Sequence, residues 1–142
     1  MAVNSKHNGN VVSDRTTSQY DCVGSLGSNG KYVQYECIAK VAGKADLNLI
    51  LSSSNKKAGG SPNNYLTPDL SKKVSLTINN VNYDLSGIPL RSNDVNQWYE
   101  WEQLCIRDVD MNEGTNTIRI EVIGGSGPNH LMLDVYSDVY FV

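Results

Sequence analysis

The stretch "NQWYEWEQLCIRDVDMNEGTNTIRIEV", Asn96 to Val122, decides the fold. Its second half alternates strictly. Ile118, Ile120 and Val122 fall on one side, Arg119 and Glu121 on the other. A period of two belongs to a strand with one buried face. The polar cluster "NEG", Asn112 to Gly114, is turn chemistry ahead of that strand. At the other end of the stretch stand both tryptophans of the chain, Trp98 and Trp101. Either both rings are core, or one faces outward and holds something flat.

Working outward, the same alternation recurs. In "KYVQYECIAKV", Val33, Tyr35, Cys37, Ala39 and Val41 share a face. In "DLNLIL", Leu47, Leu49 and Leu51 alternate with Asp46, Asn48 and Ile50. "KVSLTIN" groups Val74, Leu76 and Ile78, and the last run groups Leu131, Leu133, Val135, Val139 and Phe141. No segment carries a 3.6-residue apolar stripe. Clusters of Gly and Asn, such as "GSNG", the Asn79–Asn80 pair and "GGSGPN", separate the strands. Many short strands with polar turns predict an all-β chain, an antiparallel two-sheet β-sandwich. Two connections are longer, Ser52–Lys73 and Ser86–Gln97, and long loops on a rigid sandwich are where binding concentrates.

The chain has 142 residues, the size of one domain, with no internal repeat or linker. Residues 1–10, without an apolar run, are expected to be a tail or remnant, and residues 11–142 the domain. Net charge is -3, and no run of Lys or Arg exceeds two, so the basic footprint of a nucleic-acid binder is missing. No apolar run approaches the roughly 20 residues that span a bilayer as a helix. Three cysteines, Cys22, Cys37 and Cys105, lack C-x-x-C spacing. They read as small buried hydrophobes, with a Cys22–Cys37 bridge as the alternative.

Catalytic patterns are missing. The two histidines, His7 and His130, neighbour no nucleophile elbow, and "GGSGPN" lacks the strand–helix setting of a phosphate loop. Asp108 and Asp110 read as turn chemistry. Asp134 and Asp138 fall opposite the apolar side of the last strand, as rim charges or as calcium ligands. The aromatic balance is more informative: eight Tyr and two Trp against one Phe. Rings with polar handles suit surfaces that are apolar on the face and wet at the edge. A sugar has the matching character, with C–H faces for the ring and hydroxyls for short amides and carboxylates.

The order of motifs from Gln97 to the end resembles carbohydrate-binding modules of the family 6, 35 and 36 type. The elements are Trp98-x-x-Trp101, Gly114-x-Asn116-x-Ile118, Gly127-Pro128-Asn129 and Asp134. Upstream, Val23-Gly24, Tyr32-Val33-x-Tyr35 and Ala42-Gly43 extend the resemblance over most of the chain from about residue 11. It implies a jelly-roll that binds polysaccharide or oligosaccharide without transforming it, secreted, and attached to a glycoside hydrolase. Trp98 is then the stacking ring and Asn129 its polar partner. Tyr20, Tyr65 and Tyr99 are candidates for a second wall, and Arg91 for an acidic sugar. Calcium is the implied ion, with Asp134 and Asp138 as its candidate ligands. Two departures stand out. No acid precedes Asp14, where the family carries a calcium-binding pair, and Ser25 replaces the aromatic that follows Val-Gly. The rival readings are a sandwich that acts as a spacer or protein-contact module and a small hydrolase on the same scaffold, which would need two carboxylates facing each other in a cleft.

Overall fold

The computed structural model describes residues 1–13, 21–52, 70–86, 102–125 and 129–136, with only the backbone placed at 3, 12, 13, 52, 102, 129–132 and 136. The strands among them are β1 (Lys6–His7), β2 (Asn10–Ser13), β3 (Asp21–Gly24), β4 (Tyr32–Ala39), β5 (Gly43–Ser52), β6 (Val74–Ile78), β7 (Val81–Tyr83), β8 (Glu102–Met111), β9 (Gly114–Val122) and β10 (Asn129–Tyr136). They form two five-stranded sheets in the orders β1-β4-β9-β6-β7 and β2-β3-β10-β5-β8. Every pairing is antiparallel. The expected two-sheet jelly-roll sandwich is the observed one.

The alternation read from sequence becomes the core. β4 runs against β9 in unbroken register from Tyr32↔Glu121 to Ala39↔Gly114, which sets Val33 beside Ile120 and Tyr35 beside Ile118. β6 adds Val74, Leu76 and Ile78 to the same inner face. Ala45, Leu47, Leu49 and Leu51 of β5 cover them from the second sheet. Each buried Leu or Ile contributes about 1.5–3 kcal/mol of transfer free energy, so these rows carry most of the folding drive. Burial also pushes the Tyr35 phenol well above its ordinary value.

One end of the sandwich is closed by short corners. Asn79 and Asn80 take φ of 51° and 65°, the two left-handed positions of a tight hairpin turn between β6 and β7. Asn112 and Glu113 carry the chain from the second sheet to the first, and Gly114 follows at φ 91°. Asn116, fully buried, clamps that corner. Its Oδ1 accepts from the Asn112 N–H and from Asn79 Nδ2, both at 2.8 Å. Its Nδ2 donates to the Asn112 and Gly114 carbonyls at 2.9 and 3.0 Å. Asn79 in turn accepts from the Thr117 N–H at 2.9 Å. The Gly-x-Asn motif is therefore architecture, the lock between a sheet crossing and a neighbouring hairpin.

Several expectations need correction. Residues 1–10 are part of the sandwich: Ala2 is fully buried in the core and Lys6–His7 pair with Gln34 and Val33. A segment without an apolar run docks here because it needs only one small side chain inside and one strand edge to bond. Val41 leaves the face assigned to it, 52% exposed in the corner after β4. Cys22 is buried, Cys37 half-buried and Cys105 exposed, and none of the three is in a disulfide. The alternative Cys22–Cys37 bridge does not form. Asp108 and Asp110 are strand residues, not turn residues. Between the pairs Ala45↔Val109 and Leu47↔Ile106, Asp46 faces both Arg107 and Asp108. This β-bulge puts Asp108 at φ 55° and lets its N–H donate to Asp46 Oδ1 at 3.0 Å. The extra residue restores Val109 and Met111 to the interior after Leu104 and Ile106, and keeps the acids outside. Asp110 pairs instead with Lys44 at 2.5 Å on the solvated surface, which pushes the Lys44 amine up.

Candidate functional site

The strand ends that bound three of the connections lie together, at the end away from the short corners. Asn129 pairs with Ser52, His130 with Leu51, and Leu51 with Glu102. Segment 53–69 therefore leaves, and segments 87–101 and 126–128 arrive, on three neighbouring strands at one end of the second sheet. Antiparallel order makes this obligatory once β10, β5 and β8 are adjacent. Segment 53–69 carries Tyr65, and segment 87–101 carries Arg91, Trp98 and Tyr99. These four side chains lie outside the described residues, as do Tyr20, Asp138 and Trp101. Asn129 is placed by its backbone, at the very start of β10. Ser25 follows β3 past the same end, exposed and at φ 57°. That position carries no ring.

Asp134 is the candidate whose side chain is described. It lies on the outer face of the second sheet, half-buried, opposite the core-facing Leu133 and Val135. Its cross-strand neighbour is Asn48 of β5, and Asn48 is followed on the next strand by Cys105. Asn48 is 8% exposed, although it sits on the outer face. Sequence reading treated it as the polar half of an alternation. The signal was its context: "LNLIL" leaves one amide among four aliphatic residues.

The implied calcium ion can be tested against these groups. Calcium takes six to eight oxygens, several of them from carboxylates. Asp134 and Asn48 offer one carboxylate and one amide oxygen. Among the described residues, no group of three or more His, Cys, Asp or Glu is placed to hold a metal ion. The described residues do not by themselves make a calcium site.

Two other features are set aside by their chemistry. A cavity of about 480 Å³ opens at the sandwich edge between β4, β10 and the N-terminal turn, floored by Leu133 and Val135. Its ring, Tyr35, is 5% exposed and offers no face to a flat ligand. Cys37 lines the same space, its thiol pushed up by burial. On the outer face of the first sheet, Tyr32 is already stacked. The Arg119 guanidinium lies 3.7 Å from its ring centroid and is held by Glu121 at 2.7 Å.

No protein-family model matches the chain. No curated protein matches it in sequence. Solved structures do match the sandwich. A native family 35 carbohydrate-binding module from Clostridium thermocellum superposes with a TM-score of 0.70 at 18% identity, over 96% of this chain and 94% of that one. The architecture is that of the family 35 carbohydrate-binding modules. A second family 35 module, solved in complex with a glucuronic acid containing disaccharide, gives 0.65 at 20% identity over 93% of this chain and 85% of that one. A Podospora anserina β-(1,4)-mannanase that joins a family 26 glycoside hydrolase to a family 35 module gives 0.65 at 12% identity. There the likeness takes in 95% of this chain but 26% of the longer enzyme.

Proposed function

We propose that this chain is a non-catalytic carbohydrate-binding module whose main site is the long-loop end of the second sheet. The observation that carries the reading is the convergence at Ser52, Glu102 and Asn129 of the segments that hold Trp98, Tyr99, Tyr65 and Arg91. In this reading Trp98 supplies the platform for the C–H face of a sugar, and Asn129 and its neighbours bond the hydroxyls. Arg91 faces an acidic sugar. Support comes from the shared architecture with modules whose names state sugar ligands or an attached hydrolase. By the same analogy the module is secreted and holds a glycoside hydrolase at its polysaccharide. Few rings are available to desolvate, so affinity falls in the micromolar to millimolar range, about -8 to -4 kcal/mol.

Isothermal titration with a glucuronic acid containing disaccharide, β-1,3-galactotriose and manno-oligosaccharides tests the reading. These probes follow the sugars of the structural neighbours. Binding of one of them by the native chain, lost in Trp98→Ala with folding intact, is the expected result. Silence of the native chain across these probes and a broad glycan array favours the spacer reading. Release of reducing ends from a polysaccharide contradicts the non-catalytic part.

A further inference from the structure

We propose that the open edge of β4 pairs with the β4 edge of a second copy of this chain, about a two-fold axis at Ile38. The inference does not depend on sugar binding. It starts from a strand whose cover stops early. The Tyr32 N–H donates to Asn8 Oδ1 at 2.7 Å, and the Tyr32 carbonyl accepts from the Asn8 N–H at 3.3 Å. Tyr32 thus turns its backbone groups away from β9. In a strand this direction repeats every second residue, so Gln34, Glu36 and Ile38 face the same side. Lys6 of β1 pairs with Gln34, and the strand β1 extends no further along β4. Ser5 instead joins it to the turn Ala2–Asn4, which packs on β3 and β10 of the other sheet. Among the described residues nothing takes the outward backbone groups of Glu36 and Ile38. The cavity beside β1 opens along Glu36 and Cys37, so the flank of the strand is clear.

Folded proteins guard such edges with charges, bulges or short strands. β8, at the rim of the second sheet, has its bulge and the exposed Arg107, Asp108 and Asp110. β4 has no bulge, since its register with β9 is unbroken, and its open part is centred on Ile38, 46% exposed. The flanking side chains select the occupant. Glu36 and Lys40 stand two residues either side of Ile38, both exposed. In an antiparallel pair centred on Ile38, each Ile38 exchanges both backbone bonds with its twin. Each Glu36 then lies opposite Lys40 of the partner copy. Opposite charges across a strand pair attract and like charges repel. Centring the pair one or two residues earlier loses this match, because Glu36 then faces Ile38 or its own copy. The segment is therefore self-complementary in one register, and a second copy supplies everything the edge lacks. Antiparallel pairing points the two long-loop ends in opposite directions and leaves both open.

Sedimentation equilibrium in the presence of a reductant tests the pairing. One short edge buries less than a standard interface, so half-dimerisation is expected between about 10 μM and about 1 mM protein. Ile38→Lys places like charges at the axis and should weaken dimerisation at least about tenfold. Glu36→Lys and Lys40→Glu should each weaken it about tenfold, and the double reversal should return it to within about threefold of native. These are exposed positions, so melting temperatures within about 3 °C of native show that the variants are folded. A native chain that stays monomeric throughout that concentration range overturns the inference. So does a dimer indifferent to Ile38→Lys, or a double reversal no stronger than the single ones. A dimer that forms only without reductant is a disulfide and overturns it too.

Discussion

Two asparagines are buried among the described residues, and the fold treats them in opposite ways. Asn116 at the sheet-crossing corner makes four hydrogen bonds, all between 2.8 and 3.0 Å. Asn48, in the middle of β5, makes none among the described residues. Both are short amides on strands at the edge of an aliphatic core. The difference lies in what surrounds them. Around Asn116 the chain turns, so backbone groups that no ladder satisfies are within reach of one side chain. Around Asn48 the ladders to β8 and β10 are complete, and the backbone has nothing left to offer. Burial of the same side chain therefore means a lock in one place and, among the described residues, no bond in the other.

The sharpest way to break this contrast is to remove the lock. Asn116→Leu should lower stability by about 2–4 kcal/mol in urea unfolding, because four bonds go and the Asn112 and Gly114 groups lose their partner. A loss under about 1 kcal/mol would put the two asparagines in the same class. A smaller effect comes from a third buried polar group, the Tyr35 phenol. Its folded value is raised by desolvation, so the native state keeps its proton after the unfolded chain has released it. Stability contributed by the neutral phenol is present below pH 10 and falls as pH rises beyond it, by at most about 1.4 kcal/mol per pH unit. Tyr35→Phe should flatten that part of an alkaline unfolding series; an unchanged slope would assign it to other groups.

Asn48→Leu carries the opposite sign from Asn116→Leu, with stability unchanged or higher by up to about 1 kcal/mol in the same urea assay. A large loss would show a structural bond at Asn48 and dissolve the contrast. Smallest of all is Lys44→Ala. The ion pair with Asp110 is short but its side chains are 61% and 78% exposed, so the unfolding midpoint should not move beyond measurement error.

Much of the fold was legible because a strand period of two survives in the letters. Val33, Tyr35, Leu47, Leu49, Leu51, Ile118 and Ile120 needed nothing else. What escaped was whatever one-dimensional alternation cannot encode. The bulge at Asp108 looks like two acids near a turn until its partner strand is known. Residues 1–10 look like a tail because docking by β1 and Ala2 uses no hydrophobic run. Asn116 was visible as part of a motif, but its four bonds depend on a corner and on a hairpin 37 residues away. The candidate site was legible as residue types in long loops. Its assembly at one end follows only from the adjacency of β5, β8 and β10. Asn48 was missed because an amide in alternation reads as solvent-facing, and only burial shows otherwise.

The extra residue in β8 has a consequence for how this chain tolerates length changes. Between Ile106 and Val109 the spare position sets which half of the strand meets water. Gain of one codon there would exchange Val109 and Met111 for Asp110 and Asn112 as interior residues, upstream of the corner that Asn116 holds, whereas loss of one would only flatten the bulge and leave both inside. Insertions should accordingly be tolerated in the long connections and not in this short span.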